Sequence, residues 1–350
     1  MGSSLNTRRA VAFTLVELLV SMAVLSLLLV VLASMATQIS TAWRSTKGKI
    51  EQFRQARDAF EAMSRRVSQS TLNTYWDYLD AGGNTRTTNN SASFVPFRYA
   101  RQSELRFISG PGLASIAGGT DPRPTHSIFF LAPLGVVDST DYGGLQNLLN
   151  TWGYYLEYAD DSKLRPPFLT ASLIPLRSRF RLMELMQPSE SMSIYNYTSG
   201  SSTYNGKEWF TDALTIPPVP VHVLAENVIA LVLLPKLTPQ EDTTGTTLSP
   251  NYTYDSTVKR ATAAINSKNQ LPPVVQMTVV AIDEVSANRL TDGDNADIAT
   301  KLGGLFTIAS LYADDLATLE KYLVDKRINY RIFTTNISIK GAKWSREQIN

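Results

Sequence analysis

The pattern of apolar and polar positions changes twice along the chain. Residues 13–36 are almost wholly apolar, broken by Glu17, a few small hydroxyl residues and Met, with no Gly or Pro. At ~1.5 Å per residue, a helix of that length crosses a hydrocarbon core of about 30 Å. Gln38, Trp43 and Arg44 follow, an amphipathic ring and a charge suited to the headgroup layer. Farther on, Ile50, Phe53, Phe60, Met63 and Val67 recur at spacings of three, four or seven, among Lys49, Glu51, Arg54, Arg57, Arg65 and Arg66. That spacing predicts an amphipathic helix whose apolar stripe packs on its own domain. Only Gly48 weakens the junction, and no proline occurs before Pro96, so a nearly continuous helix is expected over 13–70.

From about Tyr75 the pattern becomes strand-like, with runs separated by Gly, Pro, Asn and Ser. Strands are expected at 104–108, 127–131, 153–158, 180–185, 223–234, 274–282 and 330–339. Segments rich in turn formers at 81–92, 199–206 and 240–251 are expected as exposed loops, and 315–325 as a helix. The predicted fold class is α+β: a long N-terminal transmembrane and amphipathic helix forms a spine packed on antiparallel β-sheet. The expected divisions are a leader over 1–12, an anchor over 13–37, its amphipathic continuation over 38–72, a β-rich domain over 73–344 and a polar tail over 345–350.

Composition narrows the function classes. The hydrophobic fraction of 43% and charged fraction of 18% are ordinary, so membrane character is confined to the one apolar segment. A net charge of +2 lacks the basic field of a nucleic-acid binder, and no nucleic acid is expected as partner. Without cysteine there is no disulfide framework, thiolate metal site or thiol nucleophile. Arg8 and Arg9 precede the apolar run while Arg44, Lys47 and Lys49 follow it, so positive charge alone does not set its orientation.

Candidate chemistry in the β-rich part is sparse. His126 and His222 are the only histidines, each expected to be structural. Gly-x-Ser-x-Gly, His-Glu-x-x-His and dinucleotide-binding glycine patterns are absent. Residues 200–208 superficially suggest a phosphate loop, but five residues separate Gly200 from Gly206 and Glu208 stands where Ser or Thr would hold magnesium. Asp292, Asp294 and Asp297 are hard oxygen donors, yet Ala296 and Gly303 occupy positions where an EF-hand has ligands. A solvated acidic turn is the expectation there, with calcium as the alternative. Tyr75-Trp76 and residues 152–155 are expected to pack in strands and core, with a sugar or partner surface as the alternative. No catalytic residue, metal or cofactor is assigned, and the chain is not expected to be an enzyme.

Glu17 stands out, because an acidic group at mid-helix costs roughly 2.5–3.5 kcal/mol on insertion scales. If the chain were cut between Ala12 and Phe13, the new α-amine would share a helix face with Glu17 at i,i+4 spacing and neutralise it. A plain anchor whose Glu17 reaches the interface is the alternative. The run Ala12-Phe13-Thr14-Leu15-Val16-Glu17-Leu18-Leu19-Val20-Ser21-Met22 resembles the class III signal of type IV pilins and type II secretion pseudopilins, whose usual pattern is Gly-Phe-Thr-Leu-x-Glu. Ala12 departs from the usual Gly. The resemblance implies cleavage between Ala12 and Phe13 by a prepilin peptidase and N-methylation of Phe13. It also implies a bacterial inner-membrane protein with its C-terminal domain in the periplasm, and Glu17 as the assembly residue that pairs with a neighbouring subunit's amine. The implied partners are that peptidase, other pilin-like subunits, an inner-membrane assembly platform and the lipid bilayer.

More weakly, Leu224-Ala225-Glu226-Asn227-Val228, Pro272-Pro273-Val274-Val275 and Tyr330-Arg331-Ile332-Phe333 look like the minor pseudopilin J class. With the ending Ile339-Lys340-Gly341-Ala342-Lys343-Trp344, they are similar to the Verru_Chthon cassette protein C family of pilin-like proteins. The competing readings are a membrane-anchored periplasmic enzyme or carbohydrate-binding protein that borrows the export signal, and an anchor that is never cleaved.

Overall fold

The computed structural model describes residues 14–118, 121–166, 168–169, 174–195, 206–217, 219–259 and 266–345. The leader, Ala12, Phe13, most of the loop expected at 199–206 and the last five residues lie outside them. The chain divides into two units, Met1–Ile50 and Glu51–Asn350, each with its own internal contacts.

Helix α1 (Leu15–Val67) begins in the first unit and ends in the second. Its segment Leu15–Trp43 is the one helix among the described residues long and apolar enough to cross a membrane, and none of that segment is buried. Several of its hydroxyls bond back to the helix: Ser21 donates to the Glu17 carbonyl at 2.8 Å, Ser26 to Ala23 at 2.9 Å and Thr37 to Ser34 at 2.8 Å. Such back-bonding lets small polar side chains enter hydrocarbon without orphaned donors. The helix ends at Val67, a few residues short of the expected Ser70, and Ser70 turns back to the Val67 carbonyl.

Within Glu51–Asn350 the chain continues as β1 (Tyr75–Leu79), β2 (Arg98–Gln102), β3 (Phe107–Pro111), β4 (His126–Pro133), β5 (Leu149–Ala159) and β6 (Arg179–Gln187). There follow α2 (Glu208–Thr215), β7 (Val221–Glu226), β8 (Val228–Lys236), β9 (Tyr254–Asp255) and β10 (Val274–Ile282). The last elements are α3 (Glu284–Arg289), α4 (Asp292–Gly303), α5 (Tyr312–Asp325) and β11 (Tyr330–Ser338). Every strand pairing is antiparallel. β1 and β2 form a hairpin, β11-β10-β8 a three-stranded sheet, and β7-β6-β5-β4-β3-β9 a six-stranded sheet.

Both larger sheets are covered on two faces, which explains why their central strands are nearly continuous apolar runs. In β10, Val275, Met277, Val279 and Ala281 enter the central core, while Val280 and Ile282 enter a second cluster with Ile298, Leu302, Leu319 and Leu323 of α4 and α5. In β4, Ile128, Phe130 and Ala132 face the central core, and Phe129 and Leu131 face a third cluster with Trp209 and Phe210 of α2. The amphipathic part of α1 completes the central core with Ala56, Ala59, Phe60, Met63 and Val67.

One expected strand, 223–234, is two. β7 closes the edge of the six-stranded sheet and β8 opens the three-stranded one, with Asn227 between them at φ 57°. Asn tolerates that left-handed conformation better than a β-branched residue, and its backbone N–H donates to the Phe180 carbonyl at 2.7 Å while Ile282 donates to its carbonyl at 2.9 Å. The pivot thus fastens one sheet to the other.

Candidate functional site

The head of α1 is built as a capping box. The Thr14 backbone N–H and hydroxyl each donate to Glu17 Oε2 at 3.1 Å, and the Glu17 N–H returns a bond to Thr14 Oγ1 at 3.3 Å. Thr14 therefore supplies partners for the carboxylate whose place in an apolar run demands them, and the positive end of the helix dipole adds to the stabilisation. The Thr-x-x-Glu spacing carries this pairing in the sequence. Glu17 and Ser21 lie one turn apart on the same face, bordered by Val16, Val20 and Val24. Ala12 and Phe13 fall outside the described residues.

The other end of α1 carries a charge into the β-rich unit. Arg66 forms an ion pair and hydrogen bond with Glu184 of β6, and its guanidinium lies 4.7 Å from the centroid of the Trp152 ring. The indole N–H of Trp152 donates to the same Glu184 oxygen at 2.9 Å, and Arg66 donates to the Tyr154 hydroxyl at 3.4 Å. Burial pushes the Tyr154 phenol far above its ordinary range, so it remains neutral. Residues 152–155 are buried, as strand and core packing predicts. The cluster fixes the end of α1 on β5 and β6.

His126 is structural. It accepts from the Leu233 N–H at Nδ1, 3.0 Å, which leaves Nε2 as the donor to the Phe306 carbonyl at 2.9 Å. With Thr125, whose hydroxyl accepts from Leu231 N–H at 3.2 Å, it satisfies the side of β8 that β10 does not pair. Burial lowers its pKa to about 4. His222 is exposed on β7.

Asp292, Asp294 and Asp297 sit on helix α4 instead of a solvated acidic turn. The sequence signal was present: Thr291 caps the helix, accepting from Asp294 N–H at 3.2 Å, while the Asp294 carboxylate accepts from Thr291 N–H at 3.0 Å. Asp292 accepts from the Tyr158 hydroxyl at 3.0 Å, and Asp294 pairs with Lys326 at 3.5 Å. Among the described residues, no group of three or more His, Asp and Glu is placed to hold a metal ion.

Tyr75 and Trp76 depart from the packing expectation. On the β1–β2 hairpin Trp76, Tyr78 and Tyr99 are about half exposed, at 49%, 48% and 51%. Trp76 and Tyr99 are stacked with centroids 6.3 Å apart, and Tyr78 meets Tyr99 edge-on at 4.4 Å. No family model, curated protein or solved structure matches the chain.

Proposed function

We propose that the chain is a minor pilin-like subunit of the J-class pseudopilin kind, anchored in a bacterial inner membrane with its β-rich domain in the periplasm, and that it acts by assembly and not by catalysis. The observation that carries this reading is the head of α1, where Glu17 is held by Thr14 at the start of an exposed apolar segment directly after Ala12-Phe13. In this reading a prepilin peptidase cuts between Ala12 and Phe13 and the new amine is methylated. Glu17 then pairs with the amine of a neighbouring pilin-like subunit at the assembly platform, offsetting the ~2.5–3.5 kcal/mol that an acidic group costs at mid-membrane. A helical spine whose second half packs on antiparallel β-structure supports the pilin-like architecture.

The test is the mass of the N-terminal peptide of the chain co-expressed with a prepilin peptidase. A peptide that begins at Phe13 and is one methyl heavier is the expected result. An intact Met1, or a cut beyond the apolar segment, would overturn the reading.

The exposed rings on the β1–β2 hairpin favour a carbohydrate-binding function as the second reading. Retention of the chain on cell-wall polysaccharide, lost on Trp76→Ala, is its signature. Equal retention of both proteins would discard it.

A further inference from the structure

The β1–β2 hairpin carries a row of rings that ends in a buried cation. In its antiparallel register Trp76 stands opposite Arg101 and Tyr78 opposite Tyr99, so the four side chains share one face of the hairpin. The three rings reach solvent, whereas Arg101 is only 9% exposed. Its guanidinium carbon lies 5.5 Å from the centroid of the Trp76 ring. Nη1 donates to Gln270 Oε1 at 3.0 Å and to the Lys343 carbonyl at 2.7 Å, which ties the foot of the hairpin to the rest of the unit. Nε and Nη2 have no hydrogen-bond partner among the described residues, and neither is sealed from solvent. Burial lowers the pKa of Arg101, and no carboxylate beside it acts in the other direction. A cation taken this far out of water holds its charge at a cost that a paired anion offsets, so the open edge of the guanidinium is a place for an acid.

Resting on the carbohydrate-binding reading of this hairpin, we infer that the face binds a saccharide that carries a carboxylate, a uronate, with its sugar ring against Trp76 and Tyr99 and its carboxylate on Arg101. The C–H face of a pyranose is apolar and packs on broad rings, while the polar tips of Trp and Tyr suit its hydroxyls. Nε and Nη2 form one edge of the guanidinium fork, whose planar geometry matches a carboxylate bidentately. Two other carriers of anions fit less well. A polynucleotide needs a positively charged groove that tracks its backbone, but residues 75–104 hold three acidic and three basic side chains. An acidic peptide brings its carboxylate on a flexible stem and leaves the rings uncovered.

The test uses the full chain in detergent and fluorescent oligomers of galacturonate, mannuronate and glucuronate, followed by anisotropy, each against its methyl ester, which keeps the ring and removes the charge. At least one uronate is expected to bind tenfold or more tightly than its ester, and Trp76→Ala should weaken that binding at least tenfold. Arg101→Gln should bring acid and ester to equal affinity, while Arg98→Gln, on the opposite face, should leave their ratio unchanged. Because Arg101 also anchors the hairpin, the ratio in the parent, in Trp76→Ala and in Arg98→Gln decides the matter if Arg101→Gln does not fold. Equal binding of acid and ester, with both lost in Trp76→Ala, would overturn the uronate and leave the carbohydrate reading standing. No binding of any uronate at millimolar concentration would also overturn it, and retention on cell-wall polysaccharide then tells whether the carbohydrate reading falls with it. Polyglutamate or a single-stranded oligonucleotide that binds as tightly as the best uronate would overturn the saccharide assignment.

Discussion

His126 and Glu17 are both polar side chains held by named partners, His126 inside the β-rich unit and Glu17 at the head of α1. His126 stays neutral because burial penalises its charged form, bringing its pKa from 6.5 down to about 4. The folded-state value lies below the unfolded one, so between these pH values the unfolded chain binds the proton more readily. The stabilisation is therefore complete above pH 6.5 and is lost as pH falls toward 4, amounting to about 3 kcal/mol for a shift of this size. His126→Gln should be clearly less stable than the parent in urea at pH 7, and the gap should narrow by pH 4. A gap that stays constant over that range would reject the linkage. Glu17, by contrast, has its carboxylate held by two donors of Thr14. In the assembly reading those local bonds cap the helix, and the intersubunit pairing needs the charge. Glu17→Val should then insert in the membrane and be cleaved normally, yet fail to cross-link or co-purify with the fibre or tip complex. Normal incorporation of the variant would remove Glu17 from that role.

Strands that serve two cores place the tightest demands at the element scale. Gly153 in β5 passes directly beneath Phe129, and a Cβ at that position would stand 2.3 Å from the ring. The ring cannot move freely, because it stacks on Phe210 of α2 at 4.1 Å. Gly153→Ala should destabilise the domain by about 1–3 kcal/mol through overpacking, and Phe129→Leu in the same chain should recover part of that loss, measured as a non-additive pair in thermal melting. The expected runs at 127–131, 153–158, 180–185, 274–282 and 330–339 all lie in strands or reach one residue beyond them, most of them carrying β-branched or aromatic residues, whereas the run expected at 104–108 is strand only from Phe107. The split of 223–234 was less legible, since Asn227 interrupts an apolar run without Gly or Pro. Short helices α2 and α3 were missed for lack of a full period, and α4 because its three aspartates drew attention to metal chemistry instead of the Thr291 cap. Glu17 was legible from charge in an apolar run.

At the scale of the whole molecule, the division between Ile50 and Glu51 falls inside a continuous helix. The apolar stripe of 53–67 decides where the chain can be cut. Phe60, Met63 and Val67 are buried in the central core, with Ala56 and Ala59 beside them. Burying the three large side chains is worth about 1.5–3 kcal/mol each, roughly 5–9 kcal/mol together, against a typical net stability of about 5–15 kcal/mol. Removal of the stripe also removes Arg66, leaving Glu184, only 9% exposed at its side chain, without its ion-pair partner. The pair is only part-buried, with the Arg66 side chain 32% exposed, so its loss adds less than the about 3–5 kcal/mol of a fully buried pair, and the sum still approaches what holds the unit folded. A fragment of residues 51–350 should therefore be soluble and unfold in one cooperative thermal transition, whereas 73–350 should aggregate or show no transition by circular dichroism. If 73–350 melts cooperatively at the temperature of 51–350, the amphipathic half of α1 contributes little to the core.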